Sequence, residues 1–203
     1  MKEKIVFWCD RVATAALYVL VFGATFSNAI TEVAAGIAIA SWIIKKAISR
    51  DFKLIRTNLN LALFGFVLAN LISIIGSNYI YESFEGFFGK TLEYVLLYFV
   101  IVESINTKKR LRNIMGVVLF TCALIGIDGL FQQFFGFDFM RLRPLVGYLR
   151  ASFGNPGHFG AWLSMVLPIT LSLFLFSDKK WKNFRIFSGL VSILLFICLM
   201  LLY

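Results

Sequence analysis

Long apolar stretches broken by clusters of charge run the length of the chain, and the spacing of those breaks predicts its elements. A helix needs about 20 mostly apolar residues to cross a hydrocarbon core about 30 Å thick. Stretches near that length lie at residues 6–26, 28–46, 58–77, 90–107, 113–135, 158–177 and 186–203, which predicts about seven membrane-crossing helices. No charge separates the first two between Arg11 and Glu32, and Ser27-Asn28 supplies the turn there. The fourth is the most interrupted, with nine uncharged residues between Glu93 and Glu103. Residues 78–90, NYIYESFEGFFGK, mix aromatics with two glutamates and two glycines. They read either as a segment lying in the outer interface or as a hydrated loop.

The basic residues orient this array, because Lys and Arg in short loops stay on the cytoplasmic side. With seven crossings and a cytoplasmic N-terminus, 16 of the 20 fall inside. Only Lys90, Arg141, Arg143 and Arg150 fall outside. Merging the first two spans, or dropping the fourth, would carry whole basic clusters across. Trp8, Trp42 and Trp181 then lie near inner boundaries and Trp162 near an outer one, as interfacial aromatics do.

Composition agrees. Of 203 residues, 60% are hydrophobic and 15% charged, against about 25% charged in soluble domains, which excludes an ordinary soluble globule. The net charge of +9 follows from topology, so no nucleic-acid partner is expected. Cys9, Cys122 and Cys198 have neither a disulfide-framework nor a metal-ligand spacing and read as small core residues. The basic start and Ser27-Asn28-Ala29 have some likeness to a signal peptide, but cleavage there would leave the remaining topology unchanged. The expected fold is an all-α polytopic transmembrane helical bundle, one region over 1–203. Its last span reaches Tyr203 without a polar stop, as in a C-terminally truncated protein.

Three of the four outward basic residues sit in one loop, 136–157, which makes it the candidate site. The guanidinium fork of arginine matches phosphate oxygens bidentately. The outer leaflet offers phosphate in lipid headgroups and in polyprenyl-pyrophosphate carriers. Arg141, Arg143 and Arg150 therefore point to an anionic ligand; the other reading is that they pair with Asp138, Asp128 or headgroups and anchor the loop. Asn155 is placed to cap the next helix and Pro156 suits its first position, so helix-start amides would join the arginines at one charged group. His158, the only histidine, sits at that start, either as an acid or base or as a satisfied interfacial residue. Asp128 lies at membrane depth, where a carboxylate is functional by default or else pairs with an arginine of the following loop. No D-x-D pair, Walker A sequence or H-E-x-x-H is present, so neither a metal nor a cofactor is expected.

At these residues the chain resembles a family. Arg150-Ala-Ser-Phe-Gly-Asn155-Pro156-Gly-His-Phe-Gly-Ala161, followed by Leu163 and Leu167-Pro168, is similar to the R-x-x-G-x-F-x-N-P-N-x-x-A signature of the O-antigen ligase and O-antigen polymerase superfamily. The arginine-to-Asn-Pro spacing is shorter here, and Gly157 replaces the second asparagine. The resemblance implies a GT-C-like glycosyltransferase of lipopolysaccharide biosynthesis in the bacterial inner (cytoplasmic) membrane. Its donor would be an undecaprenyl-pyrophosphate-linked oligosaccharide, and its acceptor lipid A-core or another glycan. Family members continue with a Ser-Arg-Gly motif and a large periplasmic loop bearing a catalytic histidine, so the resemblance covers the N-terminal portion. It implies that Arg141, Arg143, Arg150 and Asn155 hold the pyrophosphate. The alternatives are a transporter or flippase for a lipid-linked or anionic substrate, and a non-catalytic membrane scaffold.

Overall fold

The computed structural model describes residues 2–202, and among them it is helical, with no strand beyond an isolated antiparallel bridge between Phe137 and Pro144. Its helices are α1 (Lys2–Gly23), α2 (Asn28–Ser49), α3 (Asn60–Ile75), α4 (Ile80–Gly86), α5 (Leu92–Ser104), α6 (Lys108–Phe135), α7 (Pro156–Phe176) and α8 (Lys182–Leu201). A π-helical turn, Phe87–Thr91, joins α4 to α5, and a 3₁₀ turn, Lys179–Trp181, precedes α8. Five of these, α1, α2, α6, α7 and α8, are long and apolar enough to cross a membrane.

The two other expected spans fall on shorter helices. At 1.5 Å per residue, α3 with 16 residues reaches about 24 Å, short of the hydrocarbon core, and α5 with 13 reaches about 20 Å by itself but continues the π turn and α4 in one helical stretch over 80–104. The start of α3 is fixed by a side-chain turn in which Asn60 Oδ1 accepts from the Thr57 amide at 3.3 Å and from its hydroxyl at 2.6 Å. Residues 78–90 are mostly helical, forming α4 and most of the π turn, with Tyr81, Phe84 and Phe88 exposed and Phe87 buried.

The chain divides into two compact units, residues 1–20 with 29–111 and residues 21–28 with 112–203. In the first, the buried faces of α1 and α2 are built from small residues: Ala13 and Ala16 beside Leu17, then Ala34, Ala35, Ala38 and Ser41. Lipid tails are as apolar as leucine, so small side chains that admit close backbone approach, together with polar links, are what associate helices in a membrane. The polar links are here. Asp10 accepts from Lys45 at 2.6 Å and also pairs with Arg110, which donates to the Ser104 carbonyl at 2.8 Å. Glu103 pairs with Lys46 at 2.7 Å and accepts from Trp42 Nε1 at 2.8 Å. Three cations counted as topology determinants, Lys45, Lys46 and Arg110, are thus also internal ties.

The second unit packs most of α6 with α7 and α8 around one apolar core. Leu119, Cys122 and Ile125 of α6 meet Phe159 and Leu163 of α7 and Val191, Leu195 and Cys198 of α8. The helices approach closely at glycine: a Cβ on Gly189 would lie 2.8 Å from the Phe174 ring, and one on Gly126 2.8 Å from the Leu194 side chain. Between α7 and α8, Ser192 Oγ donates to Thr170 Oγ1 at 2.9 Å inside this apolar setting.

Candidate functional site

The loop joining α6 to α7 is folded back onto the end of that three-helix core. Leu149 and Ala151 are part of the core cluster, and Ala151 lies against Gly129 of α6. Gly136, with φ 79°, turns the chain out of α6, its amide donating to the Gln132 carbonyl at 2.9 Å. The Leu145 amide then bonds the Gly136 carbonyl at 2.7 Å, closing a short hairpin.

Asp138 is the staple of this hairpin. It is fully buried, its Oδ1 accepts from the Arg141 amide at 2.5 Å, and its Oδ2 accepts from the Arg143 amide at 3.1 Å. The Arg143 guanidinium Nε lies 3.5 Å from the same Oδ2. Between the two arginines, Leu142 takes a left-handed φ of 54°.

The three arginines lie in this one loop, each with one terminal nitrogen tied to a backbone carbonyl. Arg143 donates to the Ser152 carbonyl, and Arg150 donates back to the Pro144 carbonyl at 2.8 Å, so two guanidiniums cross-link the limbs of the loop in opposite directions. Arg141 donates to the Phe26 carbonyl in the turn between α1 and α2. Arg143 is paired with Asp138, as the anchoring reading supposed, yet the forks are only partly used. Buried Nε atoms of Arg143 and Arg150 lack a hydrogen-bond partner among the described residues.

Asp128 does not pair with an arginine. It is fully buried in α6, and its Oδ1 accepts from the Phe139 amide at 2.9 Å, holding the hairpin against the helix; its Oδ2 has no hydrogen-bond partner among the described residues. One turn later Gln132, equally buried, accepts through Oε1 from the amides of Arg150 at 3.1 Å and Ala151 at 2.8 Å. That residue was missed in the sequence. Its signal was a polar side chain four positions after Asp128, hence on the same helical face. Gln132 fixes the backbone of Arg150, and Ala151 beside it takes a left-handed φ of 46°.

Asn155 caps α7 as its sequence position suggested, Oδ1 accepting from the His158 amide at 2.7 Å with Pro156 at the first helical position. The cap occupies the asparagine side chain, while His158 is exposed at the start of the helix. Gln132 and Asp138 thus position Arg150, Arg143 and Arg141 through backbone amides, and Asp128 holds the hairpin through the Phe139 amide. Chemically, the arrangement is a rigid loop that presents guanidinium groups next to a helix N-terminus. No known family, no curated protein and no solved structure matches the chain.

Proposed function

We propose that the chain acts as a glycosyltransferase at the periplasmic face of a bacterial inner membrane, of the O-antigen ligase or polymerase kind. In this reading it has seven spans in a GT-C-like arrangement, with the N-terminus cytoplasmic. The observation that carries it is the clustering of Arg141, Arg143 and Arg150 in one loop whose backbone Asp138 and Gln132 hold in place. A guanidinium already fixed by one carbonyl bond loses little further freedom on gripping an anion, and such preorganised charge is often the largest catalytic contribution.

The donor is an undecaprenyl-pyrophosphate-linked glycan, and the acceptor is lipid A-core or a glycan chain. An acceptor hydroxyl attacks the anomeric carbon, a glycosidic bond forms, and the bond from that carbon to the pyrophosphate oxygen breaks. The electron pair leaves on the pyrophosphate, where the arginines offset the growing charge. As the resemblance implies, the base that takes the acceptor proton belongs to the family's large periplasmic loop; within residues 1–203 the candidate is His158, exposed at the start of α7. Asp128, tied to Phe139, serves to hold the loop.

The test replaces Arg150 by Ala and by Lys in the full-length protein and follows glycan transfer from the polyprenyl carrier. A charge-assisted hydrogen bond contributes roughly 1.5–3 kcal/mol, so Arg150→Ala should lower turnover about 10- to 100-fold. Arg150→Lys keeps the charge and should recover part of it. Unchanged transfer at normal expression would end the role. A transporter of an anionic substrate is the second reading, favoured by the unbonded Asp128 Oδ2 inside α6. Liposomes holding the purified protein separate the two, since a transporter moves its substrate without making a glycosidic bond.

A further inference from the structure

At the opposite end of the second unit from the arginine loop, where α6 begins and α7 turns into α8, lies an open groove of about 700 Å³. Its charged lining is all of one sign: Arg112 from α6 with Lys180 and Lys182 from the turn and α8. No ion pair among the described residues engages any of the three, and all three are exposed. The acidic residue of the same turn, Asp178, is not part of the lining. Trp181 forms a wall, held by the Arg112 guanidinium 5.3 Å above its ring. Lys182, the first residue of α8, is in the lining and the helix has no side-chain cap, so the partial positive charge of its N-terminus lies at the groove end.

The other lining is apolar. Val117 and Phe120 of α6 run down one side, with Phe120 half exposed, and Phe184 of α8 lies opposite. Gly116 has open space where a side chain would begin, which leaves the floor clear. A cationic, aromatic mouth above an apolar trough along a membrane helix matches an amphiphile with a phosphate head and a hydrocarbon tail. Basic pockets between helices at a membrane surface bind anionic headgroups by this combination. A soluble phosphate compound would use the mouth but not the trough.

We propose that this groove is a binding site for one anionic phospholipid, its phosphodiester held by Arg112, Lys180, Lys182 and the α8 amides, and an acyl chain laid along Val117 and Phe120. The site is independent of the arginine loop and of the reaction assigned to it.

The experiment titrates the purified full chain in detergent with phosphatidylglycerol, phosphatidylcholine or inorganic phosphate and counts adducts by native mass spectrometry. One saturable phosphatidylglycerol adduct is expected, with phosphatidylcholine at least tenfold weaker. Each basic residue beside an anionic headgroup contributes roughly fivefold in affinity, so Arg112→Gln/Lys180→Gln/Lys182→Gln should weaken binding by about a hundredfold. The charge-matched control Arg50→Gln/Lys53→Gln/Arg56→Gln should bind as the unaltered chain does. Gly116→Leu fills the trough without changing charge and should also weaken binding at least tenfold. Equal loss in both charge variants, full binding by Gly116→Leu, equal binding of phosphatidylcholine, or displacement by equimolar inorganic phosphate would each overturn the proposal.

Discussion

Replacing Asp138 by Ala removes the acceptor for two backbone amides, Arg141 at 2.5 Å and Arg143 at 3.1 Å, and strips the Arg143 guanidinium of its counter-charge. Hydrogen bonds to a charged group contribute roughly 1.5–3 kcal/mol each, and breaking a buried ion pair costs about 3–5 kcal/mol. The two costs overlap, because one carboxylate serves both, and the Arg143 side chain keeps 27% exposure through which water can replace part of the loss. A net cost of about 3 kcal/mol follows, which raises the open fraction of the loop roughly a hundredfold. Trypsin reads that fraction when opening is fast relative to cleavage. It can cut after Arg141 and Arg150, whereas Pro144 protects the bond after Arg143. In detergent, cleavage at residues 141 and 150 should accelerate roughly a hundredfold in Asp138→Ala, and about tenfold in Asp138→Asn, which keeps one acceptor oxygen but no charge. Glu85→Ala, at an exposed position of α4, should be cut as the unaltered chain is. Cleavage of Asp138→Ala within threefold of the unaltered chain, with helix content intact, would refute the idea that this carboxylate holds the loop closed.

Gln132→Leu orphans the amides of Arg150 and Ala151 and should lower stability by about 1–3 kcal/mol for each group left buried, read as a lower midpoint of thermal unfolding followed by circular dichroism. Gly189→Ala drives a methyl group to 2.8 Å from the Phe174 ring and should cost about 1–3 kcal/mol in the same measurement. Gly65→Ala meets nothing within 4 Å and should be neutral or stabilising by up to about 1 kcal/mol; equal effects at the two glycines would remove close packing as the cause. Asp10→Ala leaves Lys45 and Arg110 without their shared partner, and an unfolding midpoint lowered by the equivalent of about 1–3 kcal/mol is expected, recovered in part by adding Lys45→Ala.

Much of the layout was legible because it is written in long-range contrast between apolar runs and basic clusters. The runs at 6–26, 28–46, 113–135, 158–177 and 186–203 lie on α1, α2, α6, α7 and α8, with ends displaced by a few residues. The start of α7 was legible too, since Asn155 and Pro156 act through their own backbone neighbours. The wiring of the loop was not. Which carbonyl receives each guanidinium depends on the left-handed turns at Leu142 and Ala151, and neither residue type announces such a turn. The run at 58–77 lies on α3, whose start is set at Asn60 by the Thr57–Asn60 turn. Asp128 was singled out for depth alone, and its actual partner, the Phe139 amide, lies 11 residues along the chain in a segment without periodic pattern.

The π turn at Phe87–Thr91 changes what α4 and α5 are to one another. Its i→i+5 hydrogen bonds make a wider turn that takes in an extra residue without breaking the rod. Tyr81, Phe84 and Phe88 are exposed ahead of or within the turn, while Leu97 and Val100 are buried beyond it. A single rod thereby serves two orientations, one facing outward with its rings and one inward with its aliphatics.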